Sequence, residues 1–331
     1  MGFSKGMPEH TSKTTIRTRT KTTKSTSLKP TNRSSAEGAG KARRIAFYVF
    51  LVLFAVMHVL FNLMAGAVVG WFAEEGAISH RVHLIVFGWV FVLSFVGLVA
   101  QLRRPETKVS QMYQVLIALG AIVATTLIID RLVEPVVISF LVLPLLLVAL
   151  HPNRANLLHP STNVSRTLMA LALVASIPLV VDAFVQVRIG LDASRVAPQI
   201  LEDIDEDLSD AEFEKEFNAA ARRETDSAEE AEQVAHYGHW SAMGAFNLII
   251  AGLALVASLR APGWRLPAWS AGLSAILFGV ASIANQGDAS ALNGYWSLLA
   301  IAWGAGFILV AETTRRASAP TSVAEPAAAQ Q

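Results

Sequence analysis

Long apolar runs constrain this chain more than any other feature. They cover residues 45–72, 82–101, 113–130, 136–151, 168–187, 241–259, 268–285 and 295–312. A helix needs about 20 predominantly apolar residues to cross a hydrocarbon core about 30 Å thick, and most of the runs meet that length. Each is continuously apolar, without the period-2 alternation of a barrel strand, so helices are expected. Charged residues make up only 16% of the 331, against about 25% in an ordinary soluble domain, and they gather in blocks between the runs. The expected fold is all-α, a polytopic transmembrane helix bundle of about eight spans. The fourth run is the shortest and contains Pro144.

The blocks alternate in sign. The first, third, fifth, seventh and ninth segments outside the runs carry Lys5 through Arg44, then Arg103, Arg104 and Lys108, then Arg154 and Arg166, then Arg260 and Arg265, then Arg315 and Arg316. The others carry Glu74 and Glu75, then Arg131 and Glu134, then a strongly acidic stretch, then Asp288. The bias of Lys and Arg toward cytoplasmic segments places the first set, and both termini, in the cytoplasm of a plasma membrane. Trp71, Trp240, Trp264, Trp269, Tyr295 and Trp296 fall near run ends, where amphipathic rings sit at the interface.

Residues 1–44 hold eleven Lys or Arg against Glu9 and Glu37, with Ser and Thr filling most of the rest. So few apolar residues cannot bury a core, and a disordered basic cytoplasmic tail is expected. Its plain role is to set topology; anionic lipid headgroups are the partner its charge would attract. Tail and first run are both too long for an ordinary cleaved signal peptide. Residues 313–331 read as a second disordered cytoplasmic tail. Residues 188–240 carry fifteen Asp or Glu against five Lys or Arg. They read as an extracytoplasmic insertion of one or two solvated helices, with Phe213 and Phe217 forming a narrow stripe that could lie on the membrane or on other loops. This stretch is either a solvated cap or a funnel that concentrates cations.

Two parts of the chain resemble one another. His80-Arg81-Val82-His83, Gly88 and Leu102-Arg103-Arg104-Pro105 match His236-Tyr237-Gly238-His239, Gly244 and Leu259-Arg260-Ala261-Pro262. The offset is 156 for the histidines and glycines, 157 for the L-R-x-P, and 158 between Asp130 and Asp288. His58 and Asn62 are spaced like Asp182 and Gln186. A duplication is expected, with a first four-helix unit over 45–151 and a second over 168–312. Four spans is an even number, so the copies would be parallel, related by an axis along the membrane normal.

Each H-x-x-H sets two imidazoles on one helix face, a spacing suited to chelation. His80, His83, His236 and His239, with Asp130 and Asp288, form a candidate metal site at the outer face. A thiolate-free His/carboxylate set suits a divalent ion such as zinc, iron, manganese or copper; the chain has no cysteine. Interfacial hydrogen bonding, haem ligation and proton transfer are the other readings of these histidines. His58, Asn62 and Asp182 are polar side chains within runs, candidates because an ionisable group at depth must face a partner or water; a helix-packing hydrogen bond is the plainer alternative. Asp182 would need a cationic partner or water. His151 and His159 flank a cytoplasmic loop and receive no chemistry. There is no phosphate-cradling glycine loop, no catalytic triad context and no nucleic-acid module.

H-R-V-H, L-R-R-P, H-Y-G-H-W and R-A-P-G-W-R-L-P-A-W together resemble uncharacterised multi-span membrane proteins of actinobacterial type. The resemblance covers the runs, not the tail or the acidic stretch. It implies a bacterial plasma-membrane setting and no activity. Three function classes therefore stay open: binding or transport of a metal ion or protons through the outer-face cluster, a membrane metalloenzyme acting at that face, and a structural or accessory protein.

Overall fold

In a computed structural model, the described residues are 33–62, 68, 81–129, 135–204, 208–235, 237–288 and 290–317. Among them the secondary structure is helical. The chain divides into residues 1–40, of which only the start of the first helix is described, and a body from Lys41 onward. The helices are α1 (Arg33–Asn62), α2 (Arg81–Gln101), α3 (Val109–Ile129), α4 (Pro135–Leu150), α5 (Arg154–Leu158), α6 (Arg166–Asp203), α7 (Asp210–Glu224), α8 (Ala228–Ala235), α9 (Tyr237–Ser258), α10 (Arg265–Ala284) and α11 (Gly294–Ala317).

Six of these, α2, α3, α6, α9, α10 and α11, are long and apolar enough to cross a membrane. Large apolar side chains also point out of the bundle. Val174 is 66% exposed, Phe184 69% and Leu309 65%. A continuous apolar surface of this kind is not stable in water and is at no cost in lipid. The chain is an integral membrane protein. Among the described residues six helices meet this criterion, against the eight spans expected over the whole chain. Of the other two expected spans, the fourth is α4, whose 16 residues around Pro144 fall short of a crossing. The first is entered by α1 as far as Asn62, and residues 63–72 lie outside the described ones apart from Val68.

Lipid gives two helices no hydrophobic reason to associate, so close van der Waals packing and buried polar contacts must hold them. Between α10 and α11 the packing is backbone on backbone. A Cβ on Gly304 would lie 2.4 Å from the carbonyl oxygen of Gly272, and one on Gly272 would lie 2.7 Å from that of Gly304. Two apolar cores fill the body. One joins α2, α9 and α10 through Val86, Val90, Phe246, Ile249 and Phe278. The other joins α1 to α2 and α3 through Phe47, Leu51, Phe54, Phe95 and Met112.

The bundle has two chemically distinct ends. At the basic end Ser110 N donates to Pro262 O (3.0 Å), Ser165 N to Ser258 O (2.9 Å) and Asn163 N to Leu259 O (3.0 Å). These bonds gather the turns that hold Arg103, Arg104, Lys108, Arg260 and Arg265. Arg265 reaches Glu312 at 2.7 Å and Arg315 reaches it at 3.1 Å, which brings in the end of α11.

The opposite end holds the acidic stretch. The fifth run does not stop near residue 187: α6 continues as one helix of 38 residues, about 57 Å at 1.5 Å per residue and well beyond a 30 Å core. Its outer half carries Ala193, Ala197 and Ile200, which pack with Phe217, Ala221, Ala231, Val234, Trp240 and Ile129. The acidic stretch is therefore a three-helix cap with its own core. Phe217 is buried in that core, while Phe213 stacks on it at 6.1 Å and stays more open. In α7, Glu212 accepts hydrogen bonds from Ser209 Oγ (2.6 Å) and Ser209 N (3.2 Å), which hold its carboxyl below the usual carboxylate range.

Candidate functional site at the histidine end

α2 and α9 begin at the same end of the bundle and present the second histidine of each motif to the other. The rings of His83 and His239 meet edge to face with centroids 4.6 Å apart. His83 is 4% exposed, stacked on Phe87 one turn along its own helix at 5.8 Å and tilted against Phe246 of α9 at 6.1 Å. Two imidazoles bound to one tetrahedral ion, with metal–nitrogen bonds of about 2 Å, have centroids about 5 Å apart. The observed pair is close to that separation.

Asp288 lies beside this pair with its carboxylate engaged. Oδ2 accepts from Val82 N at 3.0 Å and Oδ1 from Ser290 N at 2.8 Å. The first bond ties the turn between α10 and α11 to the start of α2, where backbone N–H groups lack intrahelical partners and a carboxylate is favoured by the helix dipole. Asp288 is thus a helix cap one residue from His83. His80, His236 and Asp130 lie outside the described residues. Among the described residues, no three His, Asp or Glu side chains gather as metal ligands do.

The polar residues at depth are also apart from one another. Asp182 of α6 accepts from Asn247 Nδ2 at 2.6 Å and, at a long 3.5 Å, from Gln186 Nε2. Among the described residues its partners are these neutral amides. Asn247 is buried and also donates to Met243 O at 3.3 Å. It lies eight residues beyond His239 on α9, about 12 Å further into the bundle. Gly244, between them, makes this junction close: a Cβ there would lie 3.0 Å from Val187 Cγ2. His58 and Asn62 are on α1, and their side chains lie outside what is described.

A second polar group, absent from the sequence reading, sits toward the basic end among α2, α3 and α10. Gln114 Nε2 donates to Leu93 O and to Ser270 Oγ (3.0 Å), and Ser270 Oγ donates to Leu93 O (2.9 Å). Gln114 and Ser270 are both buried. Single Ser and Gln residues barely lower the hydropathy of an apolar run, so the runs conceal them. The one available signal is that Gln114 and Ser270, like His83 and His239, are 156 apart. The same offset relates Arg104 (φ 55°) and Arg260 (φ 52°), the two residues other than glycine with left-handed backbone among those described.

No protein-family model matches the chain, and no curated protein or solved structure is significantly similar to it. The functional reading therefore rests on the arrangement of its own residues.

Proposed function

We propose that this is a plasma-membrane protein with cytoplasmic termini that binds a divalent transition-metal ion at its outward end, between the starts of α2 and α9. The observation that carries the reading is the edge contact of two buried-end imidazoles from separate helices, His83 and His239, at 4.6 Å. Each is the second histidine of an H-x-x-H, so His80 and His236 are the residues in sequence register to complete the ligand set. Neutral imidazole is the ligand form, and Phe87 and Phe246 shield the pair on the membrane side. The acidic cap beside it would raise the local concentration of cations.

Orientation is supported by the gathering of Arg103, Arg104, Lys108, Arg260, Arg265, Arg315 and Arg316 at the other end, which the positive-inside bias assigns to the cytoplasm. A parallel duplication is supported by the shared offset of 156 in His83/His239, Gln114/Ser270 and Arg104/Arg260. Equivalent residues that touch one another lie on the relating axis, so the axis would pass through the histidine pair at one end and the Gln114–Ser270 pair nearer the other. A site on such an axis draws equally on both copies.

The test is metal content of the purified full-length protein in detergent after equilibration with zinc and removal of excess. One bound zinc per chain is expected in the wild type, with loss in His83→Ala and in His239→Ala. His83→Gln, which keeps the size of the side chain, should lose the metal and melt at the temperature of the metal-free wild type. Equal zinc in wild type and variants, or none in the wild type, refutes the site.

A further inference from the structure

At the basic end, the start of α10 and the start of α3 frame an open cavity of about 490 Å³, lined by Lys108, Gln111, Gly263, Trp264, Arg265 and Trp269 among others. That volume is within the range of ligand sites, about 300–1,000 Å³. We propose that it binds the headgroup of an anionic, hydroxylated phospholipid, of the phosphatidylglycerol type.

Three observations converge on this ligand. The cavity is cationic: Lys108 has no ion-pair partner among the described residues, and Arg265 spends Nε and Nη2 on Glu312 while Nη1 has no such partner. Arg315 shares that same Glu312, so the neighbourhood keeps a positive balance. Such a site at the end of a helix bundle takes a lipid phosphate. The second observation is Gln111. It is 4% exposed, and its Oε1 is buried with no hydrogen-bond partner. A buried acceptor without a donor carries a cost that a ligand hydroxyl would remove. Gly263 is what lets this amide lie where it does: a Cβ there would fall 1.8 Å from Oε1. Its φ of 86° also favours glycine. The third is the wall. Trp264 and Trp269 stand at the depth where indoles sit at the membrane interface, with Ala100 and Leu266 beside them for the first carbons of the acyl chains. Phosphate, hydroxyl and acyl chain are thereby each matched within one cavity.

The experiment uses full-length protein, delipidated in neutral detergent and titrated with short-chain phosphatidylglycerol, phosphatidylethanol or phosphatidylcholine, with retained lipid counted by native mass spectrometry. Phosphatidylglycerol should bind about tenfold more tightly than phosphatidylcholine, and phosphatidylethanol, an anionic diester of the same charge, should fall between them for lack of the hydroxyl donor. Lys108→Ala, at a half-buried position, should weaken phosphatidylglycerol about fivefold. Gln111→Leu should erase the preference over phosphatidylethanol and leave the charge dependence in place. Equal retention of phosphatidylglycerol and phosphatidylcholine overturns the proposal, as does wild-type binding by Lys108→Ala. Displacement of the lipid by millimolar inorganic phosphate also overturns it, by assigning the cations to a free anion.

Discussion

Asp182 depends on Asn247. The amide donates to the carboxyl at 2.6 Å from a neighbouring helix, and the only other side-chain donor among the described residues, Gln186, stands at 3.5 Å. Replacing Asn247 with Leu leaves a half-buried acceptor underfilled, at a cost of about 1–3 kcal/mol. Asp182→Asn, which can still pair with an amide, should cost clearly less. Thermal unfolding in detergent separates the two, and equal loss in both would show that Asn247 acts through packing alone. Asp182 stood out in the sequence because a carboxylate in an apolar run is conspicuous. Asn247 did not, since one amide among Phe246, Leu248 and Ile249 leaves the run apolar. The histidines were legible as motifs, and His83 and His239, which meet, are 156 residues apart. The engagement of Asp288 with Val82 N was not legible, because nothing in a sequence marks which helix start a distant carboxylate will cap.

For the elements, the apolar runs gave helix positions well and helix ends poorly. The first charge after the fifth run, Arg188, reads as an exit from the membrane. α6 nonetheless goes on to Asp203, because Ala193, Ala197 and Ile200 keep one face apolar for α7 and α8 to cover. The membrane boundary and the helix boundary are different physical events, and hydropathy reports only the first. The cap that α6 supports should respond to acid. Glu212 is held below the usual carboxylate range by Ser209, so its contribution is present at neutral pH and is lost as pH falls through its lowered value. Amide exchange at the start of α7 should quicken over that acid range, and in Glu212→Gln it should lose this pH dependence. Deeper in the bundle, the α10–α11 contact tolerates no side chain at Gly304, whereas a Cβ at Gly306 meets nothing within 4 Å. Gly304→Val is expected to destabilise by about 1–3 kcal/mol or more, with Gly306→Val near neutral. Similar melting temperatures for the two variants would mean that the helices are not seated as described.

Across the whole molecule, equivalence of the two halves can be tested by exchange. Gln114 and Ser270 bond to one another and share Leu93 O. Gln114→Ser leaves an acceptor unfilled and Ser270→Gln overfills a buried position, each at about 1–3 kcal/mol. If the positions are interchangeable, the double variant recovers part of that loss; if it is merely additive, they are not equivalent. Orientation matters more than symmetry, because an outward metal site requires the histidine end and its acidic cap to face out. The chain has no cysteine, so single cysteines report without a background. The deciding measurement is labelling of Lys215→Cys, exposed on α7, and Glu106→Cys, exposed between α2 and α3, by a membrane-impermeant maleimide on intact cells. Lys215→Cys should label at once and Glu106→Cys only after permeabilisation. The reverse pattern would place the histidine pair inside the cell and contradict the outward site.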